Sequence, residues 1–248
     1  MSMSDRLAIL EDVRPRAVLL ASDFDGTLAE IRDRPEAVRA HPRSLQALSR
    51  LRLRLGRITI ISGRATTMLR ALLPMPGLRL LGDYGLGRPT PAERAALDEL
   101  ARQLAPHLRS LPGVWLERKP GSASVHFRAA PTAGTRLEAV VRTLAEPLGL
   151  RVRAGRMVVE VMPARADKAT ALRSEIESMR PGAVIFGGDD TGDRGCFELV
   201  AALDRPHLAV GVESGEAAPG LFEACDLVVP GPTGFANLLE ELAAWAER

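Results

Sequence analysis

The chain of 248 residues has few cysteines, few aromatic residues and no long apolar run. Two cysteines, Cys196 and Cys225, are too few for a disulfide framework or a zinc site of their own. No apolar stretch reaches the roughly 18 residues of a membrane-spanning helix, and residues 1–6 lack the basic and apolar segments of a signal peptide. These absences predict a soluble, cytoplasmic protein that has no membrane partner.

An excess of one charge is also absent. The chain has 33 Lys+Arg against 31 Asp+Glu, and this balance argues against a dedicated nucleic-acid binder. Hydrophobic residues make up 46% and charged residues 26%, which excludes disorder for most of the chain. Only Lys119 and Lys168 are lysines. Either these two survived by chance, or each occupies a position that needs a compact ammonium group.

Two parts of the chain alternate short apolar runs with helical spacing, which predicts a parallel sheet with helices on both faces. The predicted strands and helices before the interruption are 17–24, 42–55, 57–62, 65–73 and 78–81. After it they are 168–179, 183–186, 195–203, 208–212, 227–229 and 234–245. The expected fold is therefore a doubly wound α/β core.

The segment between these parts follows another pattern. Residues 91–111 and 135–148 have helical spacing, and two pairs of short strands follow them, which gives the order αββαββ. We therefore predict a core of residues 1–85 and 165–248 with an inserted α+β domain at 86–164. The insert has a formal charge of +5 and the remainder −3. This contrast suits an anionic substrate bound between the domains, but a chance difference between solvated surfaces explains it equally well.

Acidic residues follow two of the predicted core strands. Residues 23–27 read Asp-Phe-Asp-Gly-Thr, and residues 187–193 read Gly-Gly-Asp-Asp-Thr-Gly-Asp. The carboxyl ends of strands in an open α/β sheet are where ligands bind. Converging carboxylates repel one another unless a cation binds, and hard oxygen ligands without histidine or cysteine favour Mg²⁺.

A phosphate site is predicted at the same edge. Residues 62–64, Ser-Gly-Arg, end the second strand and offer a hydroxyl and backbone N–H groups. Lys168 begins the helix that re-enters the core and supplies a point charge for a phosphate. Each feature alone is common in loops and at helix ends, but together and in this order they are specific.

This set of motifs resembles the haloacid-dehalogenase (HAD) superfamily of phosphotransferases, whose members use an aspartate nucleophile, Mg²⁺ and a mobile cap domain. Within it the chain is similar to the trehalose-6-phosphate phosphatase family. Residues 117–128 match the family's E-x-K-x-x-S-x-x-x-H-[YF]-R, and Val159–Pro163 followed by Asp167 and Lys168 matches V-E-x-x-P and N-K-G. The resemblance implies a Rossmann-like HAD core with an αββαββ cap that reads the sugar.

The resemblance also implies an activity, which is hydrolysis of trehalose 6-phosphate to trehalose and phosphate through an aspartyl-phosphate. It assigns catalysis to Asp23 and Asp25; phosphate binding to Ser62, Gly63 and Lys168; sugar binding to Glu117, Lys119, Glu160 and Arg128; Mg²⁺ binding to Asp23, Asp25 (through its backbone carbonyl) and Asp189; and support of the metal to Asp190 and Asp193. Without the resemblance, the cap residues would be assigned to an ordinary exposed hairpin face, His126 to a structural role, and Trp115 and Trp245 to packing.

The sequence departs from the family at several positions. Asp83-Tyr84-Gly85 stands where a His-Gly pair is usual, Gly192 and Arg194 replace Thr and Glu, and Ala169 replaces the glycine after the lysine.

Two alternatives stay open. The substrate is another sugar phosphate, such as sucrose 6-phosphate or a glycosyl phosphoglycerate, or the chain is a non-catalytic phospho-binding module.

Overall fold

The computed structural model describes residues 7–32, 37–87, 89–119, 121–155, 157–213 and 217–248. They form two compact units, one of Met1–Gly85 with Asp167–Arg248 and one of Leu86–Ala166. A six-stranded parallel sheet builds the first unit and a four-stranded antiparallel sheet the second. The predicted α/β class with a separate α+β part is confirmed.

The elements are numbered along the whole chain. The strands are β1 (Val18–Ser22), β2 (Arg57–Ile61), β3 (Leu78–Leu81), β4 (Trp115–Arg118), β5 (Ala123–His126), β6 (Leu150–Gly155), β7 (Val158–Pro163), β8 (Ala183–Gly188), β9 (His207–Glu213) and β10 (Leu227–Pro230). The α-helices are α1 (Pro42–Leu51), α2 (Thr66–Leu72), α3 (Pro91–Arg109), α4 (Gly134–Ala145), α5 (Lys168–Met179), α6 (Arg194–Ala201) and α7 (Gly231–Ala246).

The sheet of the first unit has helices on both faces because its strands carry apolar side chains on both faces. In β1 all five residues are buried. Alternate side chains of this strand pack into separate clusters, with Leu20 in a cluster that contains α1 and α7 and Leu19 in a cluster that contains α5 and α6. Such near-continuous apolar strands are typical of parallel sheets covered on both sides.

The strand order, β10-β9-β8-β1-β2-β3, reverses direction at β1. The chain runs outward from β1 to β3 on one side and then continues from β8 to β10 on the other. The carboxyl ends of β1 and β8 therefore lie at the topological switch point, where open α/β sheets bind ligands. Asp23 directly follows β1 and Asp189 directly follows β8, and the Asp23 N–H donates to the Gly187 carbonyl at 2.9 Å.

A buried carboxylate joins α5 to two strands. Glu175 is 2% exposed, and its carboxylate lies 3.1 Å from the Arg57 guanidinium and 2.6 Å from that of Arg79. The Thr59 hydroxyl also donates to Glu175 at 3.2 Å. A buried carboxylate needs such partners to offset its lost hydration. This network fixes the position of the helix that begins at Lys168.

The second unit has an apolar face and a polar face. Its sheet order is β4-β5-β7-β6, and α3 and α4 pack on one face around Leu100, Val125 and Val141. The other face carries a row of residues that are paired between neighbouring strands. From β4 to β6 the row is Glu117, Ser124, Glu160 and Arg153. Since successive residues of a strand point to opposite faces, this row belongs to the polar side.

Some helix ends differ from those that the sequence predicts. The helix expected to reach residue 55 ends at Leu51, although Leu55 is still buried. The last helix begins at Gly231, three residues before the predicted start, because Pro232 suits the first turn of a helix. In the described parts of the chain, every helix is too short or too polar to cross a bilayer.

Candidate active site

Three carboxylates converge at the switch point of the first unit. Oxygen atoms of Asp23, Asp189 and Asp193 lie within 4.8 Å of one another, and all three side chains are buried. Asp193 directly precedes α6, and its carboxylate accepts the backbone N–H groups of Asp189 at 3.1 Å and Asp190 at 3.2 Å. These bonds fold the loop after β8 around the Asp193 carboxylate, which brings Asp189 beside Asp23.

The ammonium group of Lys168 lies among these carboxylates. Its Nζ is 2.9 Å from Asp23 Oδ2, donates to Asp193 Oδ1 at 2.8 Å and lies 3.9 Å from Asp190. The side chain is only 3% exposed. An ammonium placed at the first residue of α5 thus pairs with acids from both sequence motifs. Asp190 also accepts the Gly192 N–H at 2.8 Å, which closes the turn between the acids.

Burial and mutual repulsion make these carboxylates costly to keep ionised. Burial raises the pKa of Asp23 well above its usual value, although the charge of Lys168 opposes this rise. The pKa of Asp189 is raised to about 8, mainly by burial and also by the charges of Asp193 and Asp190. For Lys168 burial lowers the pKa, but the charges of Asp193 and Asp23 outweigh it and hold the pKa above the usual lysine value. One lysine does not neutralise these acids, so the site favours an additional cation.

The donor set fits a hard divalent metal ion. All the candidate ligands in the triad are carboxylate oxygens, and each of these side chains is already held by Lys168 or Thr27 of the first unit. Thr27 donates its hydroxyl to Asp189 Oδ1 at 3.1 Å. A buried, pre-oriented cluster of acids of this kind can hold a metal ion.

Gly26 is required by a close approach as well as by its backbone conformation. Its φ is +76°, and a Cβ at this position would lie 1.9 Å from Asp189 Oδ2. Any side chain there would displace the Asp189 carboxylate. The sequence indicates the tight turn at Gly26, but the contact with a residue 163 positions away appears only in the fold.

Asp25 lies outside the side-chain triad. Both of its carboxylate oxygens accept hydrogen bonds from Arg64, from Nε at 2.7 Å and from Nη2 at 2.7 Å. The Arg64 guanidinium carbon lies 5.7 Å from the centre of the Phe24 ring. Sequence reasoning placed Arg64 in the phosphate motif but missed this pair, which joins residues 39 apart.

The predicted phosphate loop packs against the segment that departs from the family pattern. The Tyr84 N–H donates to the Ser62 carbonyl at 2.9 Å, and the Asp83 N–H donates to the Arg64 carbonyl at 2.9 Å. A Cβ on Gly63 would lie 2.6 Å from the Tyr84 ring. Ser62 is buried, and its Oγ accepts the Arg64 N–H at 3.2 Å. The unusual Asp83-Tyr84-Gly85 sequence therefore shapes this loop.

The candidate sugar-binding residues lie on the polar face of the second unit or next to it. Glu117 is at the centre of a small cluster, with its Oε2 2.9 Å from His126 Nε2 and 3.6 Å from Lys119 Nζ. Glu160 lies on β7, across β5 from Glu117. Arg128 lies beyond the end of β5 and is exposed. The structure brings Glu117 and Lys119 together.

The sequence profile of the trehalose-phosphatase family matches residues 21–219. The match begins in β1, just before Asp23, and runs through the whole second unit to the residues after β9. The chain belongs to the trehalose-phosphatase family.

Curated relatives are similar to this trehalose-phosphatase family member over most of its length. An uncharacterized glycosyl hydrolase of Mycobacterium tuberculosis is 36% identical over 212 residues, which cover 77% of this chain and 16% of the relative. The trehalose-phosphate phosphatase of Mycobacterium ulcerans is 34% identical over 214 residues, which cover 79% of this chain and 55% of the relative. The chain thus spans less than two thirds of the length of these relatives.

A solved structure supports the fold of the trehalose-phosphatase family member. The C-terminal domain of C. albicans trehalose-6-phosphate phosphatase matches with a TM-score of 0.80 at 18% identity, covering 99% of this chain and 98% of that domain. At this level of identity the likeness establishes that the two chains share a fold.

Proposed function

We propose that this protein is an Mg²⁺-dependent phosphatase that hydrolyses trehalose 6-phosphate to trehalose and inorganic phosphate. The observation that carries the proposal is the buried Asp23–Asp189–Asp193 triad with Lys168 inserted between two of its carboxylates, in a chain of the trehalose-phosphatase family. Hard oxygen ligands and the absence of histidine and cysteine from the triad favour Mg²⁺ among the available metals.

The nucleophile in this proposal is the Asp23 carboxylate. It attacks phosphorus, the bond from phosphorus to the sugar oxygen breaks, and Asp23 becomes an aspartyl-phosphate. Lys168, at 2.9 Å, orients the carboxylate and offsets part of its charge as the phosphate approaches. Mg²⁺ held by Asp23, the Asp25 carbonyl and Asp189, with Asp190 and Asp193 supporting it, would supply the charge that reduces repulsion between carboxylate and phosphate.

Asp25 is proposed to move the protons. It donates a proton to the departing sugar oxygen and then accepts one from the water that hydrolyses the aspartyl-phosphate. Both oxygens of its carboxylate accept a hydrogen bond from Arg64 in the structure, and each oxygen keeps a second lone pair that can take a proton. Arg64 therefore fixes the orientation of the Asp25 carboxylate.

Two groups of residues are proposed to bind the two parts of the substrate. Ser62, the backbone of Gly63 and Lys168 bind the phosphoryl oxygens, since a hydroxyl, an N–H group and an ammonium all favour anionic oxygen. Glu117, Lys119, Glu160 and Arg128 bind sugar hydroxyls. Charged groups suit this task because hydrogen bonds with one charged partner are stronger than neutral ones.

A substrate panel tests this proposal. Phosphate release is measured from trehalose 6-phosphate, sucrose 6-phosphate and glucosyl phosphoglycerate, each with Mg²⁺ and with EDTA. We expect Mg²⁺-dependent release that is at least about tenfold faster, as kcat/KM, from trehalose 6-phosphate than from the other esters.

Other outcomes of the panel reject separate parts of the proposal. Preference for another ester would keep the chemistry of the first unit and overturn the sugar assignments in the second. Equal release with EDTA would overturn the role of the metal. No release from any ester, by protein that is folded by circular dichroism, would favour the non-catalytic phospho-binding module.

A further inference from the structure

The polar face of the second unit has an exposed aromatic stack. The ring centres of Trp115 and His126 are 4.1 Å apart, and their planes differ by 13°. Sequence reasoning expected Trp115 to pack in the interior, but the residue is 54% exposed. Because His126 covers one face of the indole, the exposure belongs to the opposite face and the ring edge.

The fold does not need a tryptophan at this position. Trp115 begins β4, and the next residue, Leu116, packs against the apolar core of the second unit. Alternation along the strand therefore sends the Trp115 side chain to the polar face, together with Glu117. An indole left in water keeps the hydration cost of a large apolar surface, which a ligand packed on its open face would remove.

Hydrogen-bonding groups surround the stack. Glu117 Oε2 lies 2.9 Å from His126 Nε2, which ties the carboxylate to the stacked ring. Ser124 lies directly across from Glu117 in the strand register and is 1% exposed. Within the described residues its Oγ has no hydrogen-bond partner. A buried hydroxyl of this kind leaves a free energy penalty that a ligand hydroxyl can remove.

A hexose ring matches this combination of groups. One face of a pyranose presents C–H groups that pack on an aromatic ring, and its rim presents hydroxyls that bond to carboxylate and hydroxyl side chains. We propose that Trp115, supported by His126, is an aromatic platform for a hexose ring of the sugar-phosphate substrate, with Glu117 and Ser124 binding the hydroxyls at the rim. This inference rests on the proposed function, because it deepens the sugar site assigned there.

A protein partner suits the surface less well. Among the described large hydrophobic side chains that are exposed, Trp115 is the only one in the second unit. A stable protein interface needs an apolar centre built from many residues. A single indole bordered by charged and hydroxyl groups has the composition of a small polar-ligand site instead.

Steady-state kinetics of variants at position 115 test the platform. Trp115→Ala is expected to raise KM for trehalose 6-phosphate about tenfold and change kcat less than about twofold, because the platform contacts substrate and transition state alike. Trp115→Phe, which keeps an aromatic face, is expected to raise KM only about threefold. Trp245→Phe is the matched control, since Trp245 packs beside the core of the first unit and should leave both constants unchanged.

Fluorescence gives a second readout that does not need turnover. Trp115 and Trp245 are the only tryptophans, so the Trp245→Phe variant reports on Trp115 alone. Titration with trehalose, the unphosphorylated product, should shift and quench the emission of this variant. Titration with inorganic phosphate should not, because the phosphate site lies in the first unit.

The outcomes separate this inference from the proposed function. If wild type hydrolyses trehalose 6-phosphate but Trp115→Ala has an unchanged KM, the platform is wrong and the function stands. If wild type releases no phosphate but trehalose still shifts the emission, the platform stands and the function is wrong. Self-association of wild type that Trp115→Ala abolishes without a change in KM would assign the indole to a contact between copies and overturn the inference.

Discussion

Asp23→Asn is expected to lower kcat for phosphate release from trehalose 6-phosphate by at least about 10³-fold, because removal of a nucleophile cannot be offset by the remaining groups. The amide is nearly the same size as the carboxylate but does not attack phosphorus. Burial and nearby acids raise the Asp23 pKa, so the native carboxylate is itself costly to hold in the fold. Thermal stability without metal should therefore fall little in the variant.

Asp12→Asn is the matched control for this experiment. This variant has the same carboxylate-to-amide change at an exposed position of the first unit, so it should keep the wild-type kcat and melting temperature. Phosphate release and melting temperature are measured for both variants. Asp23→Asn with more than about a tenth of wild-type kcat would remove Asp23 from the role of nucleophile.

Lys168→Met is expected to lower both activity and stability. The variant leaves Asp23 and Asp193 without their shared ammonium, and removal of one partner from a buried ion pair costs about 3 to 5 kcal/mol. We also expect kcat/KM to fall at least about 100-fold, since the phosphoryl group loses a positive charge. Urea unfolding and phosphate release measure the two effects.

The stability loss in Lys168→Met should depend on pH with a defined sign. The charge of Lys168 lowers the pKa of Asp23 and Asp193, so without it these carboxyls take up protons at higher pH. The deficit relative to wild type is therefore greatest at alkaline pH and shrinks as pH falls and the carboxyls become neutral. Arg173→Met, an exposed change on the same helix, is the control and should show neither effect. A deficit that grows as pH falls would contradict the proposed pairing.

Much of the fold could be predicted because its signals are local. Apolar runs such as residues 57–62 and 78–81 mark the strands, and the spacing of apolar residues marks the helices. The order of strands and helices then leads to a doubly wound sheet, since parallel strands need crossover connections. The positions of the acidic motifs after β1 and β8 follow from the same reasoning, because strand ends in such sheets meet at one edge.

Contacts between distant residues could not be predicted from local patterns. The Arg64 guanidinium reaches Asp25, and Arg57 and Arg79 reach Glu175, across 39 to 118 residues of sequence. In a chain with 31 arginines, composition does not indicate which of them form buried pairs. The stack of Trp115 on His126 depends on the register of β4 against β5, which the turn between them sets.

The most direct test of the account is to trap phosphate on Asp23. The Asp25→Asn variant is mixed with p-nitrophenyl phosphate and Mg²⁺ and quenched in acid, and the tryptic peptide of residues 17–32 is analysed by mass spectrometry. The nitrophenolate leaves without a proton donor, whereas hydrolysis of the aspartyl-phosphate needs the base that this variant lacks. The account predicts a burst of one nitrophenolate per protein and one phosphoryl group on Asp23. Steady turnover with phosphate on another residue, or on none, would contradict it.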